Sequence, residues 1–377
     1  MTPLRFFLAC ISLVLGAFVI LPAPTVLLFQ LKLGATELGQ WFVLLPLLVI
    51  LMGRRRNVLD SVSVGMAVIS AMLLFSTPIR ASMFASEASR KMKEAFTGST
   101  STAAAKPFSF GRIWSFSEPT GAQPEVKVFA NAGGEDLSLD FYSAEGRRPA
   151  PCVVIVHGGG WDTGDRHEFP DLNRYLSTHG YAVAAIDYRL APNSPWPAQW
   201  EDTISALRYL TENADSLGID AKKFVLMGRS AGGQIAETVA VTGTQPGVIG
   251  CIALYAPADM NFAYQYANKK DILNSDKLLR QYLGGTPAEA KENYDSASPY
   301  SLVSEKSPPT LLIHGGNDDM VWVKQSERYA SQLKANTVKH VFLRVPWATH
   351  ALDFSWNSPG GQLTTWAVEQ FLAAVTE

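Results

Sequence analysis

Long apolar runs set the first 79 residues apart from the rest of the chain. No charged side chain lies between Phe6 and Leu31, and two further apolar runs cover residues 38–53 and 58–78. A helix needs about 20 apolar residues to cross a bilayer, and lipid offers the backbone no hydrogen-bond partner. The pattern therefore predicts an N-terminal membrane domain over residues 1–79 with about three transmembrane helices. We expect these spans near residues 6–28, 38–53 and 58–78.

A cleaved signal peptide is the alternative interpretation of the first run, because Pro22 and Pro24 would end its apolar core. Its n-region holds only Arg5, and two apolar runs follow it, which favours a membrane domain. The buried helical core of a soluble domain is disfavoured as well, since these residues have few polar faces to present to water.

The basic residues predict how this membrane domain is oriented. Three arginines at positions 54–56 fill the short connection between the second and third runs, and short basic loops face the cytoplasm. With three spans, the C-terminal domain of this integral membrane protein then lies on the extracytoplasmic side. Basic residues at positions 80, 90, 91 and 93 follow the third run and argue in the opposite direction.

Residues 80–124 are interpreted as a juxtamembrane connector. Apolar residues at helical spacing predict a short amphipathic helix in it, which either lies on the bilayer surface or packs on the C-terminal domain. These residues are Met83, Phe84, Ala88, Met92 and Ala95. Turn-rich segments at 98–102 and 119–124 indicate flexible connections on either side of the middle of this connector.

From residue 125 onward, short apolar runs alternate with helical patterns. Strands, mostly buried on both faces, are expected at residues 126–129, 137–142, 152–156, 181–186, 224–227, 248–254, 310–313 and 341–345. Helices are expected at residues 200–210, 231–241, 324–333 and 363–375. The alternation predicts an α/β fold over residues 125–377, in which helices cover both faces of a mostly parallel sheet. A polar and aromatic stretch near 260–300 interrupts the rhythm and predicts a cap-like insertion.

Composition excludes several classes of protein. The chain has 377 residues, of which 47% are hydrophobic and 18% charged, so it is not intrinsically disordered. Its formal net charge is −2, and no global basic field attracts nucleic acid. Cys152 and Cys251 lie in apolar runs and are expected to be inert core thiols.

A G-x-S-x-G pattern lies between a predicted strand and a predicted helix, as Gly228-Arg229-Ser230-Ala231-Gly232. Such a sharp turn forces its central side chain into strained geometry, and the residues two positions away must be small. The N-terminus of the following helix favours negative charge at this point. The pattern alone arises often by chance, but its position between strand and helix makes Ser230 the candidate nucleophile.

A run of glycines follows the predicted strand at 152–156, as His157-Gly158-Gly159-Gly160-Trp161. Consecutive glycines let backbone N–H groups converge on one point, as the oxyanion hole of an acyl-transfer enzyme requires. An ordinary glycine-rich loop is the alternative. A phosphate cradle is discounted, because the run lacks the Lys-Ser/Thr ending of a P-loop.

A candidate nucleophile needs a general base and a residue to orient that base. Of six histidines, His350 is the best base, since it follows the last predicted strand on a loop. Asp318, just past the strand at 310–313, is the best orienting residue, with Asp319 and Asp259 as alternatives. The chain order Ser230, Asp318, His350 is the order found in α/β-hydrolases.

Residues 125–375 resemble the carboxylesterases of the hormone-sensitive-lipase-like and feruloyl-esterase-like branches of the α/β-hydrolase superfamily. Four motifs in the same order carry the resemblance. They are His-Gly-Gly-Gly at 157–160, Asp-Tyr-Arg-Leu-Ala-Pro at 187–192, Gly-x-Ser-Ala-Gly-Gly at 228–233 and His-Gly-x-x-Asp-x-x-Val at 314–321. The N-terminal membrane segment lies outside this resemblance.

The resemblance implies an eight-stranded sheet and hydrolysis of carboxylic esters by a Ser-His-Asp triad, without a metal or an organic cofactor. It implies that Gly159, Gly160 and Ala231 supply the N–H groups of the oxyanion hole. By the same resemblance, His157 and Asp187 are structural.

Two positions depart from the resemblance. Arg229 stands where many relatives carry Asp or Gln, and Ala351 follows the base where Gly is common. Both are expected at the rim of the pocket. They therefore leave the substrate undetermined, but they do not change the expected chemistry. Trp161 and Trp347 also lie near the motif loops and join Arg229 as candidate pocket residues, although core packing is the ordinary role of tryptophan.

The sequence thus predicts a membrane-anchored serine carboxylesterase whose partners are a small ester and, through its N-terminal segment, membrane lipid. A related hydrolase would act on an amide, a formamide or an acetylated saccharide with the same machinery. A non-catalytic scaffold of this fold should lack part of the machinery, and no part is missing. A transporter is disfavoured, because three spans without a buried ionisable pair make a poor conduction path.

Overall fold

The structure, a computed structural model, describes residues 2–52, 57–96, 106–243 and 246–377. The three arginines at 54–56 and the turn-rich segment at 98–102 lie outside these ranges. Helices make up the N-terminal part of the described chain, and an α/β arrangement around one sheet makes up the C-terminal part.

Five helices form the N-terminal part. They are α1 (Thr2–Ala17), α2 (Val26–Glu37), α3 (Gly39–Phe42), α4 (Leu44–Leu51) and α5 (Val58–Ala95). By length and composition, α5 is able to cross a membrane. The helix α2 and the following stretch Gly39–Leu51 are bent by 86° relative to each other and count as a second span only if taken together.

The expected three spans are corrected by this arrangement. The predicted first span at 6–28 is not one helix, since α1 ends at Ala17 and α2 begins at Val26. Pro22 and Pro24 lie in the connection, where proline removes a backbone donor and clashes with the preceding turn. The described residues therefore contain one helix of spanning length, or two with the bent pair, rather than three.

The predicted third span and the predicted connector helix form one continuous helix, α5, of 38 residues. Its C-terminal portion buries Ala81, Phe84, Ala88 and Met92 in the core of the C-terminal part. Of the two alternatives for this segment, the described structure has the one in which the helix packs on the C-terminal domain. The two parts of the chain are thus joined by a packed helix at this point.

One mixed sheet of eight strands organises the C-terminal part. After a short 3₁₀ turn at Arg112–Trp114, the strands are β1 (Glu125–Ala132), β2 (Glu135–Tyr142), β3 (Ala150–Val156), β4 (Ala182–Ile186), β5 (Ile219–Arg229), β6 (Val248–Leu254), β7 (Thr310–Gly315) and β8 (His340–Val345). Their spatial order is β1-β2-β4-β3-β5-β6-β7-β8. The pairs β1–β2 and β2–β4 are antiparallel, and the others are parallel.

Helices cover the sheet and fill the insertion. The helices that alternate with the strands are α6 (Pro170–Thr178), α7 (Ala198–Glu212), α8 (Ala214–Leu217) and α9 (Ala231–Thr242). Four short helices lie between β6 and β7: α10 (Met260–Gln265), α11 (Ser275–Leu283), α12 (Lys291–Ser296) and α13 (Pro299–Leu302). The last two are α14 (Lys324–Ala335) and α15 (Pro359–Thr376). The central strands β3 and β4 are buried at every position, as expected of strands covered on both faces.

The parallel half of the sheet determines where chemistry can occur. Because β5, β6, β7 and β8 are parallel neighbours, the loops that follow them leave the sheet at one edge. Ser230 follows β5, Asp318 follows β7 and His350 follows β8. The topology therefore brings these three distant parts of the chain to the same place.

Phe84→Ala should lower the free energy of unfolding by about 3 kcal/mol, because it removes a ring from a well-packed core. The Phe84 ring lies edge-on to Trp347, with 6.1 Å between the ring centroids. Thermal unfolding of the full-length protein in detergent measures the loss as a lower Tm. Met83→Ala is the matched control, since that neighbouring side chain is 73% exposed; equal Tm values for the two variants would contradict the packing of α5.

Candidate active site

The turn from β5 into α9 holds Ser230 in an unusual backbone conformation. Its φ of 50° and ψ of −120° lie in a region that L-residues rarely adopt. The turn is tight on both sides. A Cβ on Gly228 would lie 2.1 Å from the Gly232 carbonyl oxygen, and a Cβ on Gly232 would lie 2.2 Å from that of His157. The two glycines of the G-x-S-x-G pattern are therefore required by close backbone contact, and the serine side chain is presented at the strand end.

Two hydrogen bonds connect the candidate nucleophile, base and acid. The Ser230 hydroxyl donates to His350 Nε2 at 2.9 Å, and His350 Nδ1–H donates to Asp318 Oδ2 at 2.7 Å. His350 is 7% exposed and Asp318 has no exposed side-chain surface, so the connection between them is shielded from water. The structure thus brings together the three residues that the sequence analysis selected.

The Asp318 carboxylate is surrounded by hydrogen-bond donors. Oδ1 accepts from the backbone N–H groups of Met320 and Val321, each at 2.9 Å, and Oδ2 faces His350. Burial alone would raise the pKa of Asp318, but attraction to His350 and hydrogen bonds from His314 and His350 outweigh it and hold the pKa well below its usual range. The candidate orienting acid is therefore ionised throughout the neutral range.

His314 is a further contact of this carboxylate that sequence reasoning did not assign. Its Nε2 lies 3.1 Å from Asp318 Oδ2 and 2.9 Å from the carbonyl oxygen of Val321. Its Nδ1 lies 2.7 Å from the Ser326 hydroxyl, which donates to it when the proton is on Nε2. The available signal was the spacing of His314 four residues before Asp318, at the end of a strand.

Arg229 belongs to a buried polar network behind the base. The ring of Tyr255 lies 4.5 Å from the His350 ring, and its hydroxyl donates to Asp353 at 2.6 Å. Arg229 donates to the same carboxylate at 2.7 Å and is 1% exposed. Asp353 lies in the loop between β8 and α15 that carries His350, which we call the histidine loop. The structure therefore buries Arg229 against this loop and not at the rim of the pocket described next, because a buried guanidinium needs the charge of Asp353.

A pocket of about 130 Å³ lies beside the insertion between β6 and β7 and beside the loop after β7 that carries Asp318, which we call the acid loop. It is lined by Trp161, Pro257, Phe262, Ala263, Tyr266, Asp271, Leu273, Ser275, Leu278, Leu279, Met320, Val321, Trp322 and Gln325. Of the predicted pocket residues, Trp161 lines it, stacked on Tyr282 with 4.2 Å between ring centroids. Trp347 does not, since it is fully buried in the core against α5. Proximity to a motif in sequence does not reveal which side of the loop a ring packs on.

The glycine run approaches the nucleophile from β3. Within the described ranges no hydrogen bond engages the backbone N–H groups of Gly159, Gly160 and Ala231. The N–H of Gly158, in contrast, donates to Glu168 at 2.9 Å. Glu168 was not anticipated, and a Cβ on Gly158 would meet both this carboxylate and the side chain of Ser230. Burial raises the pKa of Glu168, and the nearby Arg229 opposes the rise.

The alternative acids have other partners. Asp259 caps α10 by accepting from the N–H of Phe262 and pairs with Arg328 at 2.6 Å. Asp319 pairs with Lys32 at 2.6 Å. His157 is buried and stacks on the ring of Tyr188 with 4.1 Å between centroids. In the part of the chain that the structure describes, no group of three or more His, Cys, Asp or Glu side chains is arranged to hold a metal ion.

A mostly parallel eight-stranded sheet with helices on both faces and a strand–serine–helix turn defines an α/β-hydrolase. Solved esterases have this fold. An esterase from Pyrobaculum calidifontis is 22% identical with a TM-score of 0.59, covering 78% of this chain and 92% of its own. Native esterase Est2 of Thermogutta terrifontis is 25% identical with a TM-score of 0.52, covering 61% of this chain and 84% of its own.

The chain belongs to the BD-FAE family, which matches residues 139–333 and so just over half of its length. Among curated relatives, the probable carboxylic ester hydrolase LipM of Mycobacterium tuberculosis is 30% identical over 236 residues, 60% of this chain and 54% of the relative. Esterase LipC of the same organism is 28% identical over 243 residues, 60% of this chain and 59% of the relative. The aligned region thus spans little more than half the length of these relatives.

Ser230→Gly should be more stable than Ser230→Ala by about 1 kcal/mol, because glycine adopts a positive φ without the strain that a Cβ causes. Both variants lose the hydroxyl and its hydrogen bond, so the alanine variant controls for that loss. Denaturant or thermal unfolding of the full-length variants measures the difference. An alanine variant as stable as the glycine variant would contradict a strained turn at this position.

Proposed function

We propose that this protein is a serine carboxylesterase in which Ser230 is the nucleophile, His350 the general base and Asp318 the orienting acid. One observation carries the proposal, namely the pair of hydrogen bonds that joins these side chains, at 2.9 Å and 2.7 Å. This is the relation that an activated serine requires: the base within reach of the hydroxyl, and the base itself held by a third group. The family and the curated ester-hydrolase relatives support the same reaction.

In the proposed mechanism, the Ser230 oxygen attacks the ester carbonyl carbon while its proton passes to His350 Nε2. Asp318 holds the imidazole with Nδ1–H toward itself and stabilises the imidazolium that forms. When the tetrahedral intermediate collapses, the bond to the alcohol oxygen breaks and His350 returns the proton to that oxygen. Water then repeats both steps on the acyl-enzyme and releases the carboxylic acid and free Ser230.

The oxyanion of each tetrahedral intermediate is assigned to the N–H groups of Gly159, Gly160 and Ala231. They are the unengaged donors beside the nucleophile, and Ala231 is also the first residue of α9, where the helix favours negative charge. One such donor is typically worth about 3 kcal/mol of barrier. Gly158 is excluded from this role, because its N–H is already bound to Glu168.

The pocket favours esters with a short or medium acyl group. Its volume of about 130 Å³ and its aromatic walls suit an apolar group of limited size. The helices α10 and α11 and the loop that carries Asp318 supply most of its lining, which is the role expected of a cap.

We also propose that the N-terminal helices anchor the enzyme in a membrane. Many large apolar side chains on α1, α2, α4 and α5 are exposed. They include Phe7, Val14, Leu27, Leu48, Leu51, Val62, Ile69 and Met72. An exposed apolar surface of this kind is characteristic of a lipid contact. The short arginine-rich connection at 54–56 favours a cytoplasmic position for itself and an extracytoplasmic position for the catalytic domain.

Ser230→Ala should reduce hydrolysis of p-nitrophenyl butyrate by at least ~10³-fold, because the variant lacks the nucleophile. Ser216→Ala, at an exposed serine on α8, is the matched control and should retain wild-type activity. A phosphonate probe should label wild type and Ser216→Ala covalently but not Ser230→Ala. Ester hydrolysis that survives in Ser230→Ala would refute the assignment, and a preference for amides in a substrate panel would refute the substrate class.

The full-length protein should remain with the membrane fraction after alkaline carbonate washing, because we propose that lipid covers the exposed apolar side chains of its N-terminal helices. Protease added to intact cells should digest the catalytic domain, because we propose that this domain is extracytoplasmic. Digestion only after lysis would contradict that orientation. Recovery of the washed protein in the soluble fraction would contradict the anchor. A cytoplasmic reporter domain in the same cells controls for cell integrity.

A further inference from the structure

A lysine of the N-terminal part contacts the loop that carries the catalytic acid. Lys32 lies on α2, whose residues are mostly apolar, and is 1% exposed. Its Nζ donates to Asp319 Oδ2 at 2.6 Å and to the carbonyl oxygen of Asn317 at 3.0 Å. These partners are the two chain neighbours of Asp318. The N–H of Ala23, in the connection before α2, donates to the same Asp319 oxygen at 3.0 Å.

We propose that Lys32 is a positioning residue for the catalytic triad, which it serves by holding the loop at 317–322 so that Asp318 faces His350. This inference rests on the proposed esterase function. Lys32 touches neither substrate nor a reacting atom, and it acts through Asp319 and the backbone of Asn317. A buried ammonium is costly unless its partners are correctly placed, so the loop has one favourable position relative to α2.

The same helix also contacts the end of the loop that carries the base. Glu37, at the C-terminal end of α2, is fully buried and accepts a hydrogen bond from the N–H of Gly360 at 2.7 Å. Gly360 lies in the first turn of α15, directly after the loop that contains His350. Lys32 and Glu37 are five residues apart, about 7.5 Å along a helix. One rigid helix therefore fixes the acid loop and the end of the histidine loop relative to each other.

The consequence is catalytic because the triad tolerates little displacement. A misplacement of about 1 Å can cost about 10²-fold in rate. The 317–322 loop also supplies the N–H groups that bind Asp318 Oδ1 and the pocket residues Met320, Val321 and Trp322. If Asp319 loses its contact with Lys32, its neighbour Asp318 is less well held. The Asp318 carboxylate is the group that stabilises the imidazolium form of His350.

Lys32→Met in the full-length protein tests the proposal by the pH dependence of p-nitrophenyl butyrate hydrolysis. We expect kcat/KM to fall about tenfold or more. We also expect the acid limb of the profile to move to lower pH, because a less well held Asp318 stabilises the protonated base less, and this effect outweighs the loss of the Lys32 charge, which alone would move the limb to higher pH. The charged and titratable groups around His350 are Asp318, Tyr255, Glu168, Asp353 and Arg229, with His314 behind Asp318 and the Lys32–Asp319 pair beside it. A loss of folded protein lowers the whole profile without moving the limb.

Lys91→Met is the matched control. Lys91 lies on α5 and also donates to the C-terminal part, at 3.3 Å to the carbonyl oxygen of Phe342, away from the acid loop. It should leave the acid limb at the wild-type pH. Lys32→Arg, which keeps the charge, should restore part of the activity. In the double variant Lys32→Met/Asp319→Asn, the loss should not exceed that of Lys32→Met, because both changes break the same link.

An acid limb and kcat/KM in Lys32→Met equal to those of Lys91→Met would overturn the proposal and leave the esterase assignment intact. A wild-type protein without esterase activity would refute the proposed function, and the positioning role with it. If Lys32→Met does not fold, Asp319→Asn decides, since it keeps the lysine and removes only the carboxylate charge. An unmoved acid limb in that variant would overturn the proposal equally.

Discussion

The buried carboxylate of Asp318 is the constraint on which the site depends. It has no contact with water, so it needs donors from the protein, and it has them from two backbone N–H groups, His350 and His314. His314 lies at the end of β7 and the other donors lie in the loops after β7 and β8, so satisfying the charge also fixes those loops. These contacts orient the His350 imidazole. Its Nε2 reaches the Ser230 hydroxyl only because the strained turn after β5 presents that hydroxyl at the same edge of the sheet.

Much of this arrangement was predictable because its signals are local. Ser230, Asp318 and His350 each follow an apolar run, and the parallel order of β5 to β8 brings such positions to one edge. The strand positions agree closely with the predicted ones, and the differences lie in the ends. The structure lengthens β5 to Ile219–Arg229 from the predicted 224–227, because its first residues are less apolar and carry a weaker pattern.

What could not be predicted depends on contacts between distant residues. Nothing in the sequence near Lys32 indicates that its partner is Asp319, which lies 287 residues away. Arg229 looked like a rim residue because it adjoins the nucleophile, but the carboxylate of Asp353 draws it inward. The first apolar run was long enough for a span, yet Pro22 and Pro24 divide it, since backbone geometry overrides composition there.

The attachment of the N-terminal helices to the C-terminal part explains why ionisable residues are buried at that contact. Apolar packing, as between Phe84 and Trp347, favours association but has little directional preference, so it does not by itself determine register. The contacts of Lys32 and Glu37 are satisfied at one register only, because a shift leaves a charge or a hydrogen-bond donor buried without its partner. The apolar contacts thus hold the two parts together, and the polar contacts determine where the acid and histidine loops lie. The proposed anchor is thus part of the active-site framework as well as a tether.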